Sequence, residues 1–457
     1  MSFEWPLKKI SEIADFLNSK RIPLKSLDRQ KRQGPYPYYG ASGIVDSIDE
    51  YIFDGTYLLI SEDGENLRTR KTPIAFKAHG KFWVNNHAHI ISEKEEGVLD
   101  YLEYYFSTLD LDPYITGAVQ PKLNKANLDS IEIPFPDKDT RLFINSTLNS
   151  LTQKVAINHK LNQTLEQMAQ TLFKSWFVDF EPVKAKIAVL EAGGSQEDAT
   201  IAAMTAISGK DADALAVFER EHPEQYAEIK ATAELFPSAM QESDQGFIPE
   251  GWEYRKIGDY IDNISKTYPL KKVEQVVFLN TGDIKEGIFL HQNKSDVGSL
   301  PGQAKKSIRE GDILYSEIRP VNKRFAFVYF NADEYVVSTK LMVLRPKSKE
   351  LSYYLYFLLS SNEVVSYLQL MAESRSGTFP QITYDTVSDV KILTSPDESV
   401  IKSFCKFLGE NLFIPQQSII KQNDMLTNIR DTLLPKLLSG EINLPEAEQA
   451  VSEAENV

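Results

Sequence analysis

The stretch EWPLKKISEIADF (4–16) recurs in outline as GWEYRKIGDYIDNI (251–264), with Trp5 lying 247 residues before Trp252. Five further pairs follow in the same order. FDGTYLLISEDG (53–64) answers to REGDILYSEIRP (309–320), WVNNHAHII (83–91) to VVSTKLMVL (336–344), and YLEYYFS (101–107) to YLYFLLS (354–360). QPKLNKANLDSIEI (120–133) answers to PQITYDTVSDVKI (380–392), Pro121 over Pro380, and LNQTLEQMAQTLF (161–173) to QNDMLTNIRDTLL (422–434). Each match alone is weak. Six in one order, with the offset drifting only from 247 to 261, mark a module that is present twice. The period is too long for a solenoid, whose repeats run to roughly 20–50 residues, so each copy must bury a core of its own.

Inside each copy, short β-type runs such as TYLLI, FWVNN and HIIS, punctuated by Gly, Pro and Asp, give way to helix. YLEYYFSTL and YYLYFLLSS read as short buried helices. After Pro134 and Pro136 a long helix is expected through Phe180, with Ile144, Leu148, Leu151 and Val155, then Leu161, Leu165, Met168, Leu172 and Trp176, on one stripe. Steps of four and three with one slip are coiled-coil spacing. The second copy runs from about Pro396 to Leu438, with Ile419, Leu426, Ile429 and Leu433 on the seam and Pro415 expected to kink or interrupt it. Ordinary bundle packing is the plainer account of such stripes; their mirrored placement favours the two helices packing on each other. Residues 183–246 have no counterpart and carry a net charge of −7, which reads as an acidic helical insert joining the copies. The expected fold is α+β: two tandem mixed α/β domains, 1–136 and 247–395, each followed by a long helix, 137–182 and 396–440, with an acidic flexible tail at 441–457.

The composition, 42% apolar and 25% charged, is that of a globular protein. A single cysteine, Cys405, excludes a disulfide framework and fits a reducing cytoplasm. No apolar run reaches membrane-spanning length, and MSFEWPLKKI lacks the apolar core of a signal peptide, so a cytosolic location is expected. The overall charge of −15 argues against nucleic acid only until its distribution is considered: the insert and the tail hold −12 of it, leaving −3 for everything else.

Motifs for chemistry are missing. There is no Gly-rich loop with an Asn/Asp-Pro-Pro-aromatic element for adenine methylation, no GxxxxGK[ST], no HExxH and no GxSxG. His87 and His89 stand two apart, the spacing of one face of a strand, but no second His/Cys cluster accompanies them and the other copy has Lys340 and Met342 there. A structural role or hydrogen bonding is the preferred reading over a metal, and none is expected. The acids Glu62, Asp63 and Glu65 read as a turn before they read as a nuclease pair.

What the copies offer instead is cations interleaved with aromatic residues. The stretch 19–43 carries Lys20, Arg21, Lys25, Arg29, Lys31 and Arg32, then Tyr36, Tyr38 and Tyr39; Arg68, Arg70 and Lys71 form a second basic loop. The other copy matches these with Lys266, Tyr268, Lys305, Lys306, Arg309, Arg319, Lys323 and Arg324. Most single lysines in such stretches read as solvated surface. A patch in each copy points to double-stranded DNA, since cations sit on phosphates and Arg reaches base edges.

YPYYGASGIVDSIDEYIFDGTYLLISEDGENL (36–67), FWVNNHAHI (82–90), LNQTLEQMAQTLFKSWFVDFEPVKAK (161–186), GFIPEGWE (246–253) and MLTNIRDTLLPKLLSGEI (425–442) resemble the specificity subunits of type I restriction-modification systems over nearly the whole chain. The resemblance implies two target-recognition domains, each reading half of a bipartite asymmetric site, and long helices pairing as an antiparallel coiled coil with pseudo-twofold symmetry. It further implies a non-catalytic chain serving two methyltransferase subunits and restriction/translocase subunits. S-adenosylmethionine, ATP and Mg then belong to those partners and no cofactor to this chain. A reader serving methylation only, a stand-alone methyltransferase or nuclease with unrecognised motifs, and a protein-binding scaffold stand as alternatives.

Overall fold

A computed structural model of the chain describes residues 5–117, 120–375 and 377–441, so the acidic tail beyond 441 lies outside the described residues. The chain divides into two compact units, Met1–His159 with Ile420–Val457, and Lys160–Ile419.

Both units are built on one strand order. In the first, strand Phe53–Ser61 lies between Ala88–Glu93 and Ala75–Val84, and Ala14–Phe16 flanks Ala88–Glu93. In the second, Ile313–Ser316 lies between Leu341–Pro346 and Phe325–Phe327, and Ile261–Asn263 flanks Leu341–Pro346. The likeness reaches further. A parallel pairing sets Tyr39 opposite Val84 in the first unit and Leu279 opposite Val337 in the second. A short antiparallel pair joins Leu7–Lys8 to Ile133–Pro134, and Glu253–Lys256 to Lys391–Thr394. The first unit adds Gln33–Gly40 and Gly43–Ile48 to the same sheet.

Central strands are buried on both faces, which is why they read as continuous apolar runs. Leu58 and Ile60 face the core formed with Val98, Leu102 and Leu148, whereas Leu59 faces Phe53, Phe82 and Ile90. Ile313 and Tyr315 likewise face one core and Leu314 another. The two-residue side-chain period of a strand thus serves two cores at once, each such side chain contributing roughly 1.5–3 kcal/mol.

Helix Lys138–Phe177 is entered through Asp137, whose carboxylate accepts from the Thr140 N–H at 3.0 Å. Ile144, Leu148 and Leu151 on it are buried in the first unit with Leu426, Leu433 and Leu437 of helix Ile414–Leu438. Asn158 meets Gln422 and Asn423, while Thr152 and Gln153 share a cavity wall with Arg430 and Leu434, so the two segments run antiparallel within that unit. In the second unit Ala169, Phe173 and Trp176 are buried against Tyr354, Phe404 and Phe413.

This corrects the expected stripe in part. Leu161 and Met168 are 43% and 49% exposed, whereas Leu165 and Leu172 are partly buried and pack against the core that holds Trp176 with Ala169 and Phe173, so the buried seam runs one residue out of phase with Met168. A helix of 3.6 residues per turn drifts against a strict heptad, and here the aromatic residues set the phase. Leu426, Ile429 and Leu433 do pack into the first unit's core.

The second helical stretch is Ser399–Leu408, a π-helical turn at Gly409–Phe413, and Ile414–Leu438. The irregular turn therefore comes just before Pro415, which sits in the first turn of the following helix, where a missing N–H costs least.

The insert is not a bare connector. Helices Glu181–Glu191, Gln196–Ser208, Ala212–Glu221 and Pro223–Glu234 turn Val183, Met204, Ile207, Leu215 and Ile229 into the same core as Trp176 and Trp252. Ser195 and Asp198 form a capping box, and Asp211 caps Ala214 at 2.8 Å, so part of the acid content is spent on helix starts. Among the described residues no helix is long and apolar enough to cross a membrane.

Candidate nucleic-acid interface

The basic stretches sort into cations held by the fold and cations left to solvent. Arg21 donates to Glu62 at 2.7 Å and to the carbonyl of Ala88 at 2.8 Å. Arg29 pairs with Asp46 at 2.8 Å beneath the ring of Tyr38, and Arg32 bridges Asp49 and Glu50 beside Trp83. Arg70 spans the carbonyls of Phe106, Ser107 and Leu109. In the second unit Lys306 donates to the Leu341 carbonyl at 2.8 Å, and burial pushes its pKa below the ordinary lysine value. Arg324 donates to the carbonyls of Gly282 and Ile284. These six hold loops in place.

Lys20, Lys31, Arg68, Lys71, Lys266, Lys305, Arg309 and Arg319 are exposed, and Lys323 is half-buried. Among the tyrosines, Tyr38 is fully buried with its hydroxyl accepting from the Leu24 N–H at 3.0 Å, and Tyr268 is buried and donates to the Asp333 carbonyl. Neither faces a ligand, and both correct the expectation that they do. Tyr36 is half-exposed against Tyr51, and Tyr39 packs on Phe76 and Phe82.

At the end of the central strand each unit holds one backbone frame. In the first, the Glu62 N–H donates to the His87 carbonyl at 2.8 Å, Leu123 N–H to the Glu62 carbonyl at 2.8 Å, and Gly64 N–H to the Pro121 carbonyl at 3.0 Å. In the second, Glu317 N–H donates to the Lys340 carbonyl at 3.1 Å, Ile382 N–H to the Glu317 carbonyl at 2.9 Å, and Arg319 N–H to the Pro380 carbonyl at 3.1 Å. An isolated bridge completes each, Asp63 with Lys122 and Ile318 with Gln381. Gly117, at φ +88°, lies close against this segment: a Cβ there would be 2.3 Å from the Gln120 carbonyl oxygen.

Leu123 and Ile382 anchor this frame in the core, and polar side chains stand beside them. Burial works to raise the Glu62 carboxyl, but the hydrogen bond and charge of Arg21, with the charge of Lys122, hold it below its usual range. Lys122 lies 3.6 Å from Glu62, His87 donates to Asp63 at 2.8 Å, and Lys340 lies 3.8 Å from Glu317. His89 is fully buried, with Nε2 at 2.7 Å from the Leu123 carbonyl and Nδ1 at 2.8 Å from the Asn18 amide. The carbonyl requires the hydrogen on Nε2, so Nδ1 accepts, and burial pushes the ring's pKa down. His87 and His89 thus serve different partners. Among the described residues no group of three or more His, Cys, Asp and Glu is placed to hold a metal ion. Of the frame's polar residues, Lys122, Lys340 and Gln381 were not among the expected contacts, and His87 was weighed only as a hydrogen-bonding or structural residue; the repeat matches at 83–91 over 336–344 and around Pro121 and Pro380 were the signals that could have found them.

A family model described as the type I restriction modification DNA specificity domain matches residues 3–167 and 249–429, one stretch per repeat. The chain is 33% identical over 334 residues to the type I restriction enzyme HindI specificity subunit of Haemophilus influenzae, covering 70% of this chain and 71% of that one. It is 24% identical over 485 residues to the MjaIX specificity subunit of Methanocaldococcus jannaschii, covering 97% and 94%. The crystal structure of a type I restriction-modification S subunit from M. genitalium shares the fold, with a TM-score of 0.51 at 12% identity over 95% of this chain and 96% of that one. With the duplicated sheet and the long helices in the structure, these matches place the chain in the family of type I restriction-modification specificity subunits.

Proposed function

We propose that the chain reads a bipartite, asymmetric site in double-stranded DNA, the recognition part of each repeat, 1–136 and 247–395, taking one half. The observation that carries this reading is the duplication itself: one strand order and one backbone frame occur twice with different polar side chains. Two readers of one design and different surface specify two different half-sites. Exposed Lys20, Lys31 and Lys71 in one unit, and Lys266, Lys305 and Arg309 in the other, supply phosphate contacts.

The chain itself does no chemistry in this reading. It positions two methyltransferase subunits, which bring S-adenosylmethionine and take the target adenine out of the stack, and restriction subunits with ATP and Mg, in the cytoplasm. The test is to co-express the chain with a modification subunit from the same genome and to map methylated adenines in the host genome. Two short motifs separated by a fixed non-specific spacer are expected. Methylation at a single continuous motif would overturn the two-reader account, and methylation by the purified chain alone would overturn the non-catalytic one.

A further inference from the structure

We propose that the frame at the end of each central strand is the base-reading centre of its unit. The readers are the side chains that differ between the copies: His87 and Lys122 in the first, and Arg319, Lys340 and Gln381 in the second. The inference rests on the DNA-reading function above and names the residues that carry it out.

Three observations converge. First, the two frames share their glutamate, Glu62 and Glu317, and their backbone hydrogen bonds, while the groups around them change from His87 to Lys340, Lys122 to Gln381 and Gly64 to Arg319. A constant scaffold with exchanged donors is what two half-sites demand. The glutamates steady the cations without burying them: the Lys122 and Lys340 side chains remain 51% and 46% exposed. Ion pairs this exposed are weak and free to be exchanged for a base edge.

Second, Arg319 holds a left-handed backbone, φ +43°, at the position where the first copy has Gly64 at φ +109°. A side chain kept at a site that favours glycine is strained, and such strain collects at functional sites. Its guanidinium is exposed and forms no ion pair among the described residues, so the fold gains nothing visible from keeping it.

Third, a cavity of about 400 Å³ opens beside the second frame, lined by Asn263, Glu317, Met342, Arg375, Gln381 and Tyr384. Gln is the side chain that pairs bidentately with adenine N6 and N7, and Arg or Lys with guanine O6 and N7, in the major groove.

The experiment uses the complex assembled with its modification subunits, on its mapped target and on duplexes carrying each single base change, at one salt concentration. Gln381→Ala and Arg319→Gly are each expected to lower discrimination about five- to a hundredfold at one or two positions of the same half-site. Lys122→Ala is expected to do so in the other half-site. The loss on the target is expected to exceed any loss on non-target duplex in all three. Arg319→Gly also relieves the strained backbone, so it decides the question even where Gln381→Ala impairs assembly. Unchanged discrimination at every position, or an equal loss on target and non-target duplex, would overturn the proposal. A wild-type complex that methylates no bipartite site is a different result, and it would defeat the DNA-reading account itself.

Discussion

His89 is buried and neutral at a position where the second copy has the equally buried Met342. Because burial lowers its pKa from 6.5, the folded chain binds that proton more weakly than the unfolded chain does. Its contribution to stability is therefore complete above 6.5 and is lost as the pH falls from there through the folded-state value. The neighbouring charges are Glu62 at 3.7 Å, Arg21 and Lys122. His89→Met should flatten the dependence of unfolding free energy between about pH 7 and pH 5.5, read from urea titrations at the two values; an unchanged slope would place the acid sensitivity elsewhere. A buried ion pair makes a larger prediction. Asp312 is fully buried and receives both Nε and Nη2 of Arg345, at 2.7 and 2.8 Å. Arg345→Met strands the carboxylate, and a loss of about 3–5 kcal/mol is expected in denaturant unfolding. At the surface, Lys31→Ala should reduce the slope of log affinity against log salt for the assembled complex by about one. Arg32, already committed to Asp49 and Glu50, should alter that slope less.

Between elements, the helix contact in the first unit is set by a polar pair. Asn158 and Asn423 are buried, and the Asn158 amide donates to Asn423 at 2.9 Å and to Gln422 at 2.8 Å. Buried asparagines in paired helices fix register at a cost in stability. Asn158→Ala leaves two acceptors without that donor and should lower stability by about 1–3 kcal/mol. Replacing Asn158 and Asn423 together by Leu should recover that loss while broadening the amide spectrum of the two helix segments, the sign of alternative registers. On the long helix, Trp176→Ala removes a fully buried ring packed on Phe236 and Phe404 and should cost about 3–5 kcal/mol. Met168→Asp, at a half-exposed position, should cost far less in the chain alone. A comparable loss from both would contradict the observed phase of the seam.

Over the whole molecule, the duplication could be read in the amino-acid sequence because two copies of one strand order leave two copies of one apolar pattern. Leu58-Leu59-Ile60 and Ile313-Leu314-Tyr315 are buried on both faces, and their unbroken apolar character alone marks them as core. The phase of the long helix could not be read, since Met168 and Ala169 are both apolar and only packing against Phe404 and its neighbours chooses between them. Nor could the free cations be told from the held ones. Arg70 and Arg68 are two apart in one loop, yet one spans three carbonyls and the other has a single 3.4 Å contact to Gly117. The insert's acid content hid its apolar inner face in the same way. Modularity gives the prediction at this scale: exchanging residues 1–136 for those of a relative with a different target should change one half-site and spare the other in methylated-adenine maps. A change in both halves would show that the repeats do not read independently.

The first unit is closed by its last contributors along the chain, since Leu426, Leu433, Leu434, Leu437 and Leu438 complete the core begun by Ile10 and Leu58. A ribosome therefore delivers every residue of the second unit before the first has the leucines it needs. The part of the protein that is made first is the part that finishes folding last. A premature stop near residue 420 would then leave the core of the first unit unfinished, more than 200 residues upstream, and leave that of the second intact.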